Sequence, residues 1–286
     1  MAIKTILVPT DFTKSALNAL NYAVNIASEL NSKIILLHTF NTIVSSPEMP
    51  FDDVKQFSMA AKKTADKQLD KLIEKIHKVS DVQLEYISID SLLVDGILET
   101  IKNKKIDLVV MGTKGASGFK ELFFGTVTSK IIEYAKCPVW AIPQRASYNG
   151  LQNITYATDY NVSDITILKK LAEIAKEFKS KINILHIALS NKNIELEAAV
   201  LKKFILKVKD KINYKHIASH LLYADDKENG LENYLKKAQT NLITISTQYR
   251  TVTEKMFSKS IAKKLSYHSK VPLLTYHHKK TSLLFL

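Results

Sequence analysis

The sequence is short of arginine, cysteine, glycine and unbroken apolar stretches, and each shortage removes a class of protein. Of 41 basic residues only Arg145 and Arg250 are arginine. Arginine is the usual reader of guanine edges and the bidentate binder of phosphates, so specific nucleic-acid readout is not expected. The one cysteine, Cys137, cannot form an internal disulfide, and beside Pro138 in an apolar run it reads as a packed core residue rather than a nucleophile. No apolar run approaches the roughly 18 residues needed to span a bilayer. The opening MAIKTILVPTDF lacks the long apolar region and small-residue cleavage site of a secretory signal. The protein is therefore expected in the cytoplasm, without redox chemistry.

What is present describes a folded chain of two domains. The 286 residues are too many for most single cores, and 46% hydrophobic with 24% charged residues is ordinary globular usage. Residues 1–150 hold 18 basic against 16 acidic side chains and residues 151–286 hold 23 against 12, so the two halves carry +2 and +11. A basic half can mark an acidic protein, a membrane surface or nucleic acid as a partner.

The chain repeats itself. Ile6 to His38 (ILVPTDFTKSALNALNYAVNIASELNSKIILLH) aligns with Ile154 to His186 at a constant offset of 148, pairing Thr10 and Asp11 with Thr158 and Asp159. Further on, at an offset of 134, Gly96 meets Gly230, Asp107 meets Asn241, and Cys137-Pro138 meets Val271-Pro272. The second copy has lost residues where the first has the loop with Pro47 and Pro50. A polar linker near Gln144 to Leu151 separates the copies, giving expected domains of 1–145 and 151–278.

Within the first copy, apolar runs at Ile3–Val8, Ile34–His38, Val82–Ile89, Ile106–Met111 and Val139–Ile142 alternate with helical periodicity. The first helix carries Ala16, Leu17, Leu20, Ala23, Val24, Ala27 and Leu30 at helix spacing behind Thr13 as its cap. A second helix over 52–78 shows a core-facing stripe of Val54, Phe57, Ala61, Leu69, Leu72, Ile73 and Ile76. Further helices are expected around 92–103 and 126–135. The second copy's strands begin near Ile154, Ile182, His216, Leu242 and Pro272. Five strands with intervening helices imply an α/β fold, a parallel sheet covered on both faces, in each copy. His38 and His186 end equivalent strands, which reads as a shared structural role rather than metal ligation, and no metal site is expected.

Of only seven glycines, Gly112, Gly115, Gly118 and Gly125 fall within 14 residues directly after the fourth strand. Glycine lets backbone N–H groups approach phosphate oxygens, and a helix starting at Gly125-Thr126 would aim its positive end at the same anion. Neither G-x-x-x-x-G-K-[ST] nor G-x-G-x-x-G occurs. The spacing present is Gly, two residues, Gly, nine residues, Gly, then Thr: Gly112, Gly115, Gly125 and Thr126. Together with ILVPTDF at Ile6–Phe12, LLH at Leu36–His38, DLVVMGTKG at Asp107–Gly115 and CPVW at Cys137–Trp140, this resembles the universal stress protein family across the first copy and, more weakly, the second.

That resemblance implies two tandem Rossmann-like domains with strand order 3-2-1-4-5, which sets the ends of strands one and four side by side. It also implies ATP as cofactor, with or without Mg²⁺. Pro9, Asp11 and Thr39 would flank the adenosine and Met111 line its edge. Gly112, Gly115 and Gly125 would admit the phosphates, and Thr126, Val127 and Thr128 would donate hydroxyl and backbone N–H groups. A carboxylate at a strand end can accept hydrogen bonds from adenine or ribose, and Asp11 also suits helix capping. In the second copy Pro9, Gly112, Gly115 and Gly125 become Ala157, Ser246, Tyr249 and Lys259, while Asp159 and Ser260 persist. One nucleotide site per chain is therefore expected, in a nucleotide-dependent stress or regulatory factor. A slow ATPase and a basic adaptor stand as alternatives, although the glycine loop holds only Glu121 as a carboxylate and no arginine. Family domains pair through their last strands, so Val139–Ile142 and Leu273–Tyr276 could pair within one chain; whether a homodimer forms is left open.

Overall fold

The continuous apolar runs become strands buried on both faces. All five residues of β1 (Thr5–Pro9) are buried, as are Leu108–Met111 of β4 (Leu108–Gly112). Between them the chain forms α1 (Lys14–Leu30), β2 (Lys33–Phe40), α2 (Phe51–His77), β3 (Leu84–Asp90) and α3 (Leu93–Asn103). After β4 come α4 (Thr126–Tyr134) and β5 (Val139–Ile142). The repeat supplies β6 (Asn153–Ala157), α5 (Asp164–Glu177), β7 (Lys181–Leu189), α6 (Ile194–Lys211), β8 (Ile217–Ala224), α7 (Lys227–Lys237), β9 (Leu242–Gln248) and β10 (Leu273–His278). The computed structural model describes residues 3–42, 51–113, 126–190, 193–248 and 270–278. Two compact units result, Ile3–Val139 and a second that begins at Trp140, so the division falls inside β5, ahead of the polar segment 144–151.

The pairings of β1 with β2 and β4, β2 with β3, β6 with β7 and β9, β7 with β8 and β9 with β10 are all parallel. The first unit runs β3-β2-β1-β4, and the Val109 N–H donates to the Pro138 carbonyl (3.0 Å), leading the chain into β5 beside β4. The second runs β8-β7-β6-β9-β10, with Ile243 donating to Pro272 (3.0 Å) at the same place. The second unit therefore has the 3-2-1-4-5 order and the first has its strands one to four in the same order, with β5 following β4 at the division; each sheet lies between helices. Leu7, Leu37, Val109 and Met111 pack with Ile97 and Ile101 of α3 and Ile131 of α4 on one face. On the other lies α1, with Ala16, Ala19, Leu20, Ala23 and Ala27 buried. Cys137 packs into the first of these cores, and burial pushes its thiol up to about 12.

Thr13 caps α1 as its sequence suggests, its side chain accepting the Ala16 N–H (3.3 Å). Two apolar residues depart from their expected stripes. Leu17 is exposed at 39% and Phe57 at 58%. In α2 the buried ridge is Ala65 and Leu69, and at 100° per residue Phe57 stands about 120° away from Leu69. Gly96 and Gly230 allow α3 and α7 to settle on their sheets: an added Cβ would lie 2.9 Å from Thr39 Cγ2 in one and 2.9 Å from Ala224 Cβ in the other.

The second unit carries polar side chains where the first is apolar. His220 Nε2 lies 3.3 Å from Asn183 Oδ1, with the Tyr234 ring edge-on at 5.3 Å. Pairing register puts His220 opposite Leu185 just as Ile87 stands opposite Leu37. Burial pushes the His220 pKa below its usual value, and Lys181 adds to the shift. The folded unit thus binds this proton more weakly than the unfolded chain, so the contribution is intact above the ordinary histidine pKa of about 6.5 and is lost as pH falls through it toward the lowered folded value. His220→Ile should therefore narrow the gap between thermal midpoints measured at about pH 7.5 and pH 5. An unchanged gap would show that His220 does not set the acid sensitivity.

Candidate functional site

The chain leaves β1 through a turn that is held at the N–H, the hydroxyl oxygen and the carbonyl of Thr10. The Thr10 N–H still bonds to Leu37 O (2.8 Å), and Thr10 Oγ1 accepts the Phe12 N–H (3.1 Å), which allows Phe12 a left-handed φ of 62°. His38 Nδ1 lies 2.8 Å from Thr10 O. A carbonyl only accepts, so that nitrogen carries the hydrogen. The Phe12 ring covers the imidazole at 4.7 Å. Asp11 projects from this turn half-buried. Its Oδ1 accepts the Thr13 N–H (3.0 Å) and hydroxyl (2.6 Å), so the carboxylate orients the cap of α1 rather than capping the helix itself.

β4 lies beside β1, with Ile6 opposite Leu108 and Leu7 opposite Val109, so Pro9, the last residue of β1, and Met111, the last but one of β4, are both buried in adjacent strands. Gly112 follows. Gly112 is one of the glycines expected to admit phosphate, and what the structure gives it is a packing role. A Cβ there would lie 2.5 Å from Ser15 Oγ and 2.9 Å from Ser15 O, so the first turn of α1 takes up the space that a side chain would need. Thr128, in the first turn of α4 and 3% exposed, donates its hydroxyl hydrogen to Gly112 O (3.0 Å), pinning the start of α4 to the end of β4. The Thr128 hydroxyl hydrogen is therefore engaged within the protein. Thr126 is exposed, and Val127 is half-buried against the core. Thr39 lies half-buried against Gly96. Gly115, Gly118 and Gly125, with Lys114 and Glu121, lie outside the described residues, as do Tyr249, Lys259 and Ser260.

The second unit rebuilds the same turn. Thr158 N–H bonds to Leu185 O (2.9 Å), Thr158 Oγ1 takes the Tyr160 N–H (2.8 Å), and Tyr160 has φ 61°. His186 Nδ1 lies 2.7 Å from Thr158 O, with Tyr160 stacked on it at 4.2 Å. The paired histidines thus hold equivalent turns, as their positions suggest.

Beyond the turn the units differ. His186 Nε2 faces Glu197 Oε2 at 3.3 Å, and Asp159 meets Lys227 Nζ at 3.3 Å. Asp164, fully buried, accepts hydrogen bonds from Tyr156 Oη (2.8 Å), Thr158 Oγ1 (2.6 Å) and the Asn161 N–H (3.1 Å), and the nearby Ser246 hydroxyl also favours its charged form. Burial raises the Asp164 carboxyl above the usual range against the pull of these bonds, and burial likewise lifts the Tyr156 hydroxyl. The sequence reading did not include this cluster. Its signal is the alignment of Tyr156 with Val8, Asp164 with Ala16 and Ser246 with Gly112, three polar residues in apolar or empty places.

Among the described residues no group of three or more histidine, cysteine or acidic side chains is arranged to hold a metal ion, and no helix is long and apolar enough to cross a membrane. The sequence model of the universal stress protein family matches residues 2–143. Universal stress protein YxiE of Bacillus subtilis is 31% identical over 143 residues, covering 46% of this chain and 94% of that protein. Universal stress protein MJ0531 of Methanocaldococcus jannaschii is 27% identical over 141 residues, 49% of this chain and 81% of its own length. The chain belongs to the universal stress protein family. Its fold is shared over most of its length by a crystallographically solved universal stress protein from Archaeoglobus fulgidus, with a TM-score of 0.70 at 17% identity and coverage of 96% of both chains.

The contact between α1 and Gly112 makes Gly112→Ala disruptive whether or not a ligand binds. Equilibrium urea unfolding should report a loss of about 1–3 kcal/mol, the usual range for overpacking a fitted contact. Parent-like stability would mean that α1 yields without cost.

Proposed function

We propose that residues 1–145 bind an adenine nucleotide, ATP with or without Mg²⁺, at the ends of β1 and β4. On this reading the chain acts as a nucleotide-dependent stress or regulatory factor with one such site, and residues 151–278 form a diverged companion domain. The observation that carries it is the adjacency of Asp11, Met111, Gly112 and the start of α4 at the point where β1 and β4 lie side by side. Strand ends at such a switch point are where open α/β sheets take ligands. The described residues suit the group. Asp11 offers a half-buried acceptor for adenine or ribose, with Pro9, Thr39 and Met111 as its surround. The first turn of α4, Thr126, Val127 and Thr128, offers N–H groups and the positive end of a helix to phosphate. Gly115 and Gly125 would leave the phosphates room to approach. At the equivalent strand end of the second unit, Ser246 is engaged with Asp164, which supports a single site.

Calorimetric titration of the nucleotide-stripped protein with ATP and Mg²⁺ should give one site per chain. Gly115→Tyr, which copies the second repeat, should abolish it while leaving the far-ultraviolet spectrum unchanged. Absence of binding in the parent would refute the reading.

A further inference from the structure

We infer that Lys227 is the residue that withholds the second unit's strand-end carboxylate from a nucleoside, by acting as its resident cation. The comparison is internal to the chain. Asp159 stands where Asp11 stands, on a turn with the same backbone hydrogen bonds and the same left-handed third residue. The backbone that carries the carboxylate has been retained, but the bonds to it have not: Asp11 takes the Thr13 N–H and hydroxyl, whereas the N–H of the equivalent Asn161 goes to Asp164. The first residue of the helix that follows the third strand differs as well, and it supplies the new partner. With Gly96 and Gly230 aligned, Leu93 of α3 corresponds to Lys227 of α7. Leu93 packs into the first unit's core cluster. Lys227 instead reaches Asp159 Oδ1 at 3.3 Å, with its side chain 24% exposed.

A lysine is an unfavourable choice for this position on local grounds. The first turn of a helix carries partial positive charge and favours acids, and Glu228 and the capping Asp226 next to it follow that rule. Lys227 sits against the helix dipole, so its placement needs a compensating anion, and Asp159 is the carboxylate it meets. The same Oδ1 lies 3.7 Å from His186 Nδ1, and His186 Nε2 faces Glu197 at 3.3 Å. Lys227, Asp159, His186 and Glu197 thus link α7, the turn after β6, β7 and α6 within the second unit. Replacement of the glycines removes the means of gripping phosphate; Lys227 separately removes the acceptor that a nucleoside would use.

This inference rests on the adenine-nucleotide reading of the first unit, and two measurements on the full-length chain separate the two. Backbone hydrogen exchange reads the lock without any ligand. In Lys227→Leu, which restores the first unit's residue, amides of 159–161 should exchange about threefold faster at low salt, the scale expected of a partly exposed ion pair. Lys227→Arg should exchange like the parent. Equal rates in the parent and the Leu variant would overturn the lock.

Titration with adenosine, which lacks phosphate, reads the consequence. The parent should bind one equivalent and Lys227→Leu two, with the second removed by adding Asp159→Ala. One equivalent in both would overturn the claim that Lys227 is what excludes the nucleoside, as would two in the parent. No binding in either, with faster exchange in the Leu variant, would refute the nucleotide reading while upholding the lock on Asp159.

Discussion

Both units depend on the turn that follows their first strand. A parallel strand that ends at the carboxyl edge of its sheet must stop pairing without stranding its polar groups, and Thr10 and Thr158 solve this in one residue each. The N–H stays bonded to the neighbouring strand, the hydroxyl oxygen takes the N–H two residues on, and the carbonyl is held by a histidine nitrogen. These bonds offset the cost of a bulky aromatic residue at positive φ, a conformation that sterics disfavour by about 1–2 kcal/mol. The same turn then fixes where the aspartate projects and where the next helix begins. Displacing it would move Asp11, Thr13 and Ser15 together.

Because α1 starts where this turn puts it, the end of β4 has little choice of side chain. The first unit meets the constraint with nothing: Gly112 lacks the atom that would strike Ser15, and Val8 and Ala16 are buried and apolar. The second meets it with a complete polar set, in which Ser246, Tyr156, Thr158 and the Asn161 N–H all serve Asp164. An intermediate between these solutions is worse than either. A buried carboxylate without its donors, or buried hydroxyls without their acceptor, loses the hydrogen bonds that offset desolvation. The three substitutions are therefore best understood as one change in packing chemistry, whose result is a strand end filled by the unit's own side chains.

This coupling explains what could be read from residues in order and what could not. Strands and helices were legible because burial imposes a period on each, and the duplication was legible because its two copies keep that period in register. The fate of individual residues within a period was less so. Phe57 continues an apolar rhythm yet lies off the buried ridge of α2, since a long helix on a sheet buries only the arc that touches it. Gly112 shows the limit for the candidate site. Its role was assigned from the chemistry of a ligand, whereas its nearest neighbours are atoms of Ser15, almost a hundred positions earlier in the chain. Lys227 was illegible for the same reason. Its partner Asp159 is 68 residues away, and only the folded sheet brings α7 to the turn after β6.

The contrast between the strand ends also determines how each unit can respond to its surroundings. A ligand that binds only the folded form stabilises it by mass action, by about 2.7 kcal/mol when its concentration is a hundred times the dissociation constant. A unit whose strand end awaits such a ligand has a stability that varies with the ligand's supply. The second unit has partners for its strand-end carboxylates written into its own sequence, Tyr156, Thr158 and Asn161 for Asp164 and Lys227 for Asp159, so these carboxylates are engaged whether or not small molecules are present. Fusing one domain of each kind yields a chain in which a nucleotide signal, as proposed for the first unit, acts on one half while the other half keeps its structure. A regulatory protein gains from that asymmetry, because the half that does not respond can present a constant surface to a partner while the half that does respond reports on the ligand.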